Sequence, residues 1–221
     1  MIIAIDGTSA SGKGTLAKKL QDYFDFVYLD TGALYRAVGK ILLDAGDDPT
    51  DADKAQKAAL SLSPDSIRFL QNNPDIRNEK CGAAASKVSA IPEVRKILFD
   101  FQRQFALHPV KEDGTPAKGA ILDGRDIGTV VCPEAEIKLY LIASAEVRAK
   151  RRLKELQEKG ICVIYDEILK EVKERDERDA KRSVAPLKPA DDAWILDTSD
   201  KTIDDVFADV VDYIKGKMKQ Q

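Results

Sequence analysis

The apolar run IIAID (2–6) leads directly into DGTSASGKGT at residues 6–15, and a stretch of helical periodicity follows. Gly7, Gly12 and Lys13 satisfy the pattern G-x-x-x-x-G-K-[ST] at every position but the last. Gly14 stands where a hydroxyl is usual, and Thr15 follows one residue late. No other feature constrains the fold as much. Glycines without a Cβ permit backbone angles that wrap a loop with its N–H groups inward, and the helix behind it adds its positive end at the same point. The stretch Gly7, Thr8, Ser9, Ala10, Ser11, Gly12, Lys13, Gly14 and Thr15 is therefore expected to cradle phosphates, with Lys13 carrying a full charge to the outer ones. A strand before it and a helix after it weigh against a chance glycine-rich turn.

The rest of the chain continues that opening. FVYLD (26–30), AILD (120–123), KLYLI (138–142) and WILD (194–197) are short apolar runs separated by helical stretches. They read as buried strands of a parallel sheet, so the fold class is α/β. Asp6, Asp30 and Asp123 end three of the runs. Open parallel sheets take ligands just beyond the carboxyl ends of their strands, so acidic residues there suggest a magnesium and phosphate site. Residues 14–24 form a first helix, with Leu16, Leu20 and Phe24 at four-residue spacing, and 31–46 a second. Residues 47–117 interrupt the alternation and read as an inserted subdomain. Within them SIRFLQNNPDIRNEK (66–80) is expected to be a small hairpin turning at NNP, and 82–107 to be helical with a break near Pro92. Residues 144–160 and 165–182 read as two charged helices joined by a short turn, and 202–220 as an amphipathic terminal helix.

Composition excludes several classes. A chain of 221 residues can bury a full core without staples. The net charge of -3 and pI near 5.4 argue against a nucleic-acid-coating protein. MIIAID has neither a charged n-region nor a long apolar run, so neither a signal peptide nor a membrane span is expected. Cys81, Cys132 and Cys162 are scattered, which points to reduced thiols in a cytoplasm rather than a disulfide framework or zinc site. The single histidine, His108, precedes Pro109 in a polar stretch and reads as a surface residue.

The loop narrows function without choosing one. The D-x-x-G and N-K-x-D elements of signalling GTPases are missing, which leaves motor or transport ATPases and small-molecule kinases. A short chain with the loop at its start favours a kinase. Gly14 cannot ligate a metal, so Mg2+ must be held by water, nucleotide phosphates or strand-end carboxylates.

Three further stretches follow strands or share a helix face. In LDTGALYR (29–36), Asp30 and Thr31 can cap the next helix, but capping does not explain Arg36, which is placed to fork onto a phosphate. In LDGRDIGTVVCP (122–133), Gly124 and Gly128 flank Arg125 and Asp126 at the sheet's ligand edge. In KERDERDAKR (173–182), Arg175, Asp179 and Arg182 are spaced i, i+4, i+7. They form either a solvated face or a two-arginine clamp for a phosphoryl group; spacing alone leaves both open.

Together with LQEKG and KERDERDAKRSVAPLKPA, these motifs resemble, in order and spacing, the bacterial cytidylate kinases of the nucleoside monophosphate kinase group, and the resemblance covers nearly the whole chain. GKGT is the loop ending those kinases use. The resemblance implies a P-loop NTPase fold of five parallel strands flanked by helices, with a monophosphate-binding insertion and a short lid. The core would span about 1–46, 118–150 and 183–221, the insertion about 47–117 and the lid about 151–182. It implies that ATP phosphorylates CMP and dCMP, that Mg2+ travels with ATP, and that the enzyme is a cytoplasmic monomer without nucleic-acid or membrane partners. By the same resemblance, Asp30, Thr31 and Arg36 serve the acceptor phosphate and the magnesium side. The family often has serine at Thr31's position; threonine keeps the hydroxyl. Ser86, Arg95 and Asp126 contact cytosine and its nucleotide, and Asp179 contacts the sugar. Lys13, Arg125, Arg175 and Arg182 grip the phosphates during transfer. A carboxylate is the natural acceptor for the cytosine amine, which assigns Asp126 to that group, with Arg95 and Ser86 as donors.

Overall fold

Alternation of side chains along the first strand sets up two layers. Ile3 and Ile5 point to one side, Ile2 and Ala4 to the other, and all four are buried. In the computed structural model, residues 1–63, 66, 67, 69, 73–158, 160–182 and 184–219 are described. The first half runs β1 (Ile2–Gly7), α1 (Lys13–Phe24), β2 (Val27–Asp30), α2 (Thr31–Asp44), α3 (Ala52–Leu60), a 3-10 turn (Pro74–Arg77), α4 (Glu79–Val88) and α5 (Pro92–Leu107). The second half runs β3 (Ala120–Gly124), a wide turn (Ile127–Val131), β4 (Ile137–Ile142), α6 (Ala145–Glu158), α7 (Tyr165–Lys181), β5 (Trp194–Asp197) and α8 (Ile203–Met218).

The five strands are parallel in the order β2-β3-β1-β4-β5, with β1 in the middle. On one face Ile3, Ile5, Ile121 and Leu139 pack with Leu16 and Leu20 of α1 and Val210 and Ile214 of α8. On the other face Leu29 and Leu122 pack with Leu34, Val38 and Leu42 of α2, Val88 of α4, and Val94 and Leu98 of α5. Helices α6 and α7 close a third, smaller cluster of Ala149, Leu156, Ile168 and Val172. That pair has its own small core, separate from the two layers on the sheet.

All five strands lie where the apolar runs put them, and Pro92 falls at the first turn of α5, where its missing N–H costs nothing. The hairpin expected at 66–80 fares differently. Residues 68 and 70–72 lie outside the described residues, and the described second arm is not a strand. Asn73 accepts from the Asp75 N–H (2.8 Å) and opens the 3-10 turn; Asn78 accepts from the Cys81 N–H (2.8 Å) and caps α4. Two asparagines thus supply side-chain acceptors that start helical turns, for which a hairpin arm has no use. His108 is exposed at the end of α5. Among the described residues no helix is long and apolar enough to cross a membrane.

Candidate active site

The loop between β1 and α1 takes the wrapped form its glycines permit. Gly7 has φ +143°, and a Cβ there would lie 2.0 Å from the Leu141 carbonyl oxygen; Gly12, at φ +95°, precedes α1 directly. Ser11 Oγ and Lys13 Nζ both donate to the Thr8 carbonyl, at 2.9 and 2.7 Å. Two residues that no motif announced brace the loop from outside. Thr198 Oγ1 donates to the Ser11 carbonyl (3.1 Å), and Arg148 Nη1 donates to the Ser9 carbonyl (3.2 Å). Both are buried. Their partners are main-chain carbonyls, which no sequence pattern names.

The loop forms one wall of a cleft of about 560 Å³ at the carboxyl edge of the sheet. Every substrate-side residue expected from the sequence lines it: Asp30, Thr31, Arg36, Ser86, Arg95, Arg125, Asp126, Arg175, Asp179 and Arg182. Asp30 caps α2 through the Ala33 N–H (3.1 Å), and its other oxygen pairs with Arg77 Nη2 (3.1 Å), a cleft residue the motifs did not flag. Thr31 Oγ1 donates to the Asp123 carbonyl (2.7 Å), joining the start of α2 to β3. Arg36 Nη1 donates to the carbonyls of Ile76 and Asn78. At the far end Arg95 Nη2 pairs with Asp126 Oδ2, both residues buried, and Arg178 Nε donates to Ser86 Oγ (3.3 Å).

Asp179 departs from the expected clamp. Its ion pair is with Arg125, from the turn after β3 (Nε to Oδ2, 2.8 Å), rather than with Arg175 and Arg182 on its own stretch. The i, i+4, i+7 spacing does bring the three to one cleft, but Arg125 approaches from the sheet and occupies the carboxylate. Arg175 and Arg182 are left with hydrogen-bonding capacity to spare: Arg175 Nε and Arg182 Nη2 are buried with no hydrogen-bond partner among the described residues.

The electrostatics follow from that. Burial lowers the pKa of Arg175 to about 9, helped by Arg125 beside it, and burial likewise lowers Arg36 and Arg182. Lys13 and Asp123 are both moved toward neutrality by burial, with Arg125 pressing on the lysine and Asp30 on the carboxylate. Cations that outnumber the carboxylates of a desolvated cleft form a receptacle for polyanions.

The three strand-end carboxylates part company. Both oxygens of Asp6 accept backbone N–H groups, of Ile127 (2.8 Å) and Gly128 (2.7 Å), so Asp6 serves the turn after β3 rather than lining the cleft. Asp30 and Asp123, paired in register on β2 and β3, do line the cleft, and a Cβ at Gly14 would sit 3.5 Å from Asp123 Oδ2. Among the described residues there is no cluster of three His, Cys, Asp or Glu that would hold a metal by itself. Two facing oxygen donors beside the loop suit a hydrated hard cation whose other ligands are phosphate and water.

Comparison with known proteins names a family for the whole chain. The family profile for cytidylate kinase matches residues 3–216. A cytidylate kinase of Paramagnetospirillum magneticum is 55% identical over 216 residues, covering 98% of each chain, and one of Rhodospirillum rubrum is 51% identical over 222 residues, covering all of each. A solved structure of an uncharacterized protein from Eubacterium ventriosum shares the fold at a TM-score of 0.54 and 15% identity, over 98% of each chain. With a phosphate loop ending in Gly14-Thr15, a cation-rich cleft and whole-chain similarity to these relatives, the chain belongs to the cytidylate kinase family.

Proposed function

We propose that the protein transfers the γ-phosphoryl group of ATP to CMP, and to dCMP, giving ADP with CDP or dCDP. The observation that carries this reading is the meeting of two chemistries in one cleft. A phosphate loop with under-neutralised cations forms one part of it, and a buried acceptor–donor pair, Asp126 with Arg95, forms another. Cytosine presents an amine next to a ring-nitrogen acceptor, the complement of a carboxylate next to a guanidinium.

In this reading the loop N–H groups and Lys13 hold the ATP phosphates. Arg36, with Asp30 and Thr31 beside it, serves the acceptor phosphate. Arg125, Arg175 and Arg182 surround the transferring group. Arg125 is held by Asp179, which also faces the sugar. Arg95, Asp126 and Ser86 read the base. Phosphoryl transfer needs little covalent work from a protein, so positioning and charge stabilisation carry the rate. No general base is required, because the acceptor phosphate is already an anion near neutral pH. Bound with ATP, Mg2+ neutralises phosphate charge; Asp30 and Asp123 are the side chains placed to hold its water shell. The natural division is a core of about 1–46, 118–150 and 183–221, a monophosphate-binding insertion of about 47–117 and a lid of about 151–182. The small separate core of α6 and α7 supports a lid that swings as a unit and excludes water from ATP. We place the enzyme in the cytoplasm, as a monomer.

A coupled ADP-release assay across a panel of acceptors tests the reading. CMP and dCMP should turn over fastest. Faster turnover of AMP, TMP or shikimate would replace the substrate, and tight nucleotide binding with no turnover would mean a sensor rather than a kinase.

A further inference from the structure

Asp126 stands immediately before the wide turn Ile127–Val131, where an aspartate ordinarily folds back to accept the turn's own N–H groups. It makes no such bond. The N–H groups of Ile127 and Gly128, the two residues that follow it, are held by Asp6, one on each carboxylate oxygen, at 2.8 and 2.7 Å. Asp6 is 4% exposed and sits at the end of the central strand β1, a rigid support. From this held turn the Asp126 carboxylate faces Arg95, with Arg182 Nη2 3.7 Å from its other oxygen.

We propose that Asp6 is a positioning residue for base selectivity: by holding the N–H groups of the two residues that follow Asp126, it fixes the backbone from which the Asp126 carboxylate projects into the cleft. The inference rests on the reading of Asp126 as acceptor for the cytosine amine. Asp6→Asn leaves one oxygen acceptor and turns an amide donor against the second N–H. The freed N–H loosens the start of the turn and shifts the Asp126 carboxylate relative to the base.

The test measures kcat/KM for CMP and UMP in the wild type, Asp6→Asn, Asp126→Asn and the double variant. Asp6→Asn should lower the CMP-to-UMP ratio by about tenfold or more, the scale of one buried hydrogen bond, with KM for ATP within about twofold of wild type. The double variant should show the same ratio as Asp126→Asn alone. If Asp6→Asn does not fold, Asp6→Ser, which removes volume and keeps one acceptor, is measured against the same criteria. Equal losses on CMP and UMP would reduce Asp6 to a structural brace and overturn the proposal. A ratio lost in Asp126→Asn but kept in Asp6→Asn overturns the role of Asp6 alone. A ratio kept in Asp126→Asn removes the base-reading role, and the inference with it.

Discussion

Arg148 and Asp176 form a two-pronged ion pair, Nη1 to Oδ1 at 3.0 Å and Nη2 to Oδ2, while Arg148 Nε donates to the Ala143 carbonyl at 2.8 Å and Nη1 also reaches the Ser9 carbonyl. One buried guanidinium thereby ties the phosphate loop, the end of β4 and helix α7 together. Asp176 adjoins Arg175, so the pair registers that arginine against the loop. Arg148→Ala is expected to lower kcat on the order of a hundredfold, the scale of a small misplacement of reacting groups. Asp176→Asn should cost less, and the double variant little more than Arg148→Ala. A double-mutant cycle on kcat should return a coupling of about 1 kcal/mol or more; additive losses would show that the two side chains do not act as a unit.

Lys13→Met should reduce turnover by about a hundredfold or more, since one preorganised charge on the transferring phosphate is removed. The melting temperature of the ligand-free variant should hold or rise, because burial disfavours the ammonium it replaces. Wild-type turnover in a folded variant would remove Lys13 from the reaction.

Arg175→Ala and Arg182→Ala should each depress kcat more than ATP affinity, because both hold buried nitrogens without a hydrogen-bond partner among the described residues of the cleft, free to bond a phosphate charge that arrives with substrates. Arg175 has its pKa lowered to about 9 by burial, so its charged form opposes folding at every pH below that value and the cost fades as pH rises further. Arg175→Ala should therefore leave the ligand-free protein at least as stable as wild type at pH 7. Thermal melts beside single-turnover rates check both halves; silent kinetics with normal stability would make this a solvated helix face.

Asp6 supplies a pH signature. Burial outweighs its two backbone N–H bonds and raises its pKa from 3.8 to about 6. The folded state then holds the proton more tightly than the unfolded one. The resulting stability is complete below about pH 4 and is lost as pH rises through about 6. Asp6→Asn has no such proton. The stability of wild type minus that of Asp6→Asn should fall between pH 4 and 7, by at most roughly 3 kcal/mol. Denaturant titrations at a series of pH values measure it, and a difference that grows with pH would contradict the assigned environment.

The local content of the chain was legible because local rules write it. Continuous apolar runs marked the strands, since a sheet covered on both faces needs apolar side chains on both. Gly7 and Gly12 marked the loop, since its backbone angles and close approach to Leu141 exclude a Cβ. The i, i+4 spacing put Arg175 and Asp179 on one face of α7, with Arg182 in extended backbone just past its end, and the resemblance of the whole chain to a family supplied Ser86 and Arg95, which lie in none of the matched motifs. The hairpin reading of 66–80 failed in its described second arm because side-chain caps by Asn73 and Asn78 overrode a strand-like pattern. What only the tertiary structure decided is who pairs with whom. Arg125 rather than a helix neighbour takes Asp179, Asp6 caps a turn 121 residues away, and Arg148 and Thr198 grip loop carbonyls from 139 and 187 residues off. Those partners are main-chain groups or charges brought together by strand order, and strand order depends on how buried surfaces pack, which no stretch of sequence carries by itself.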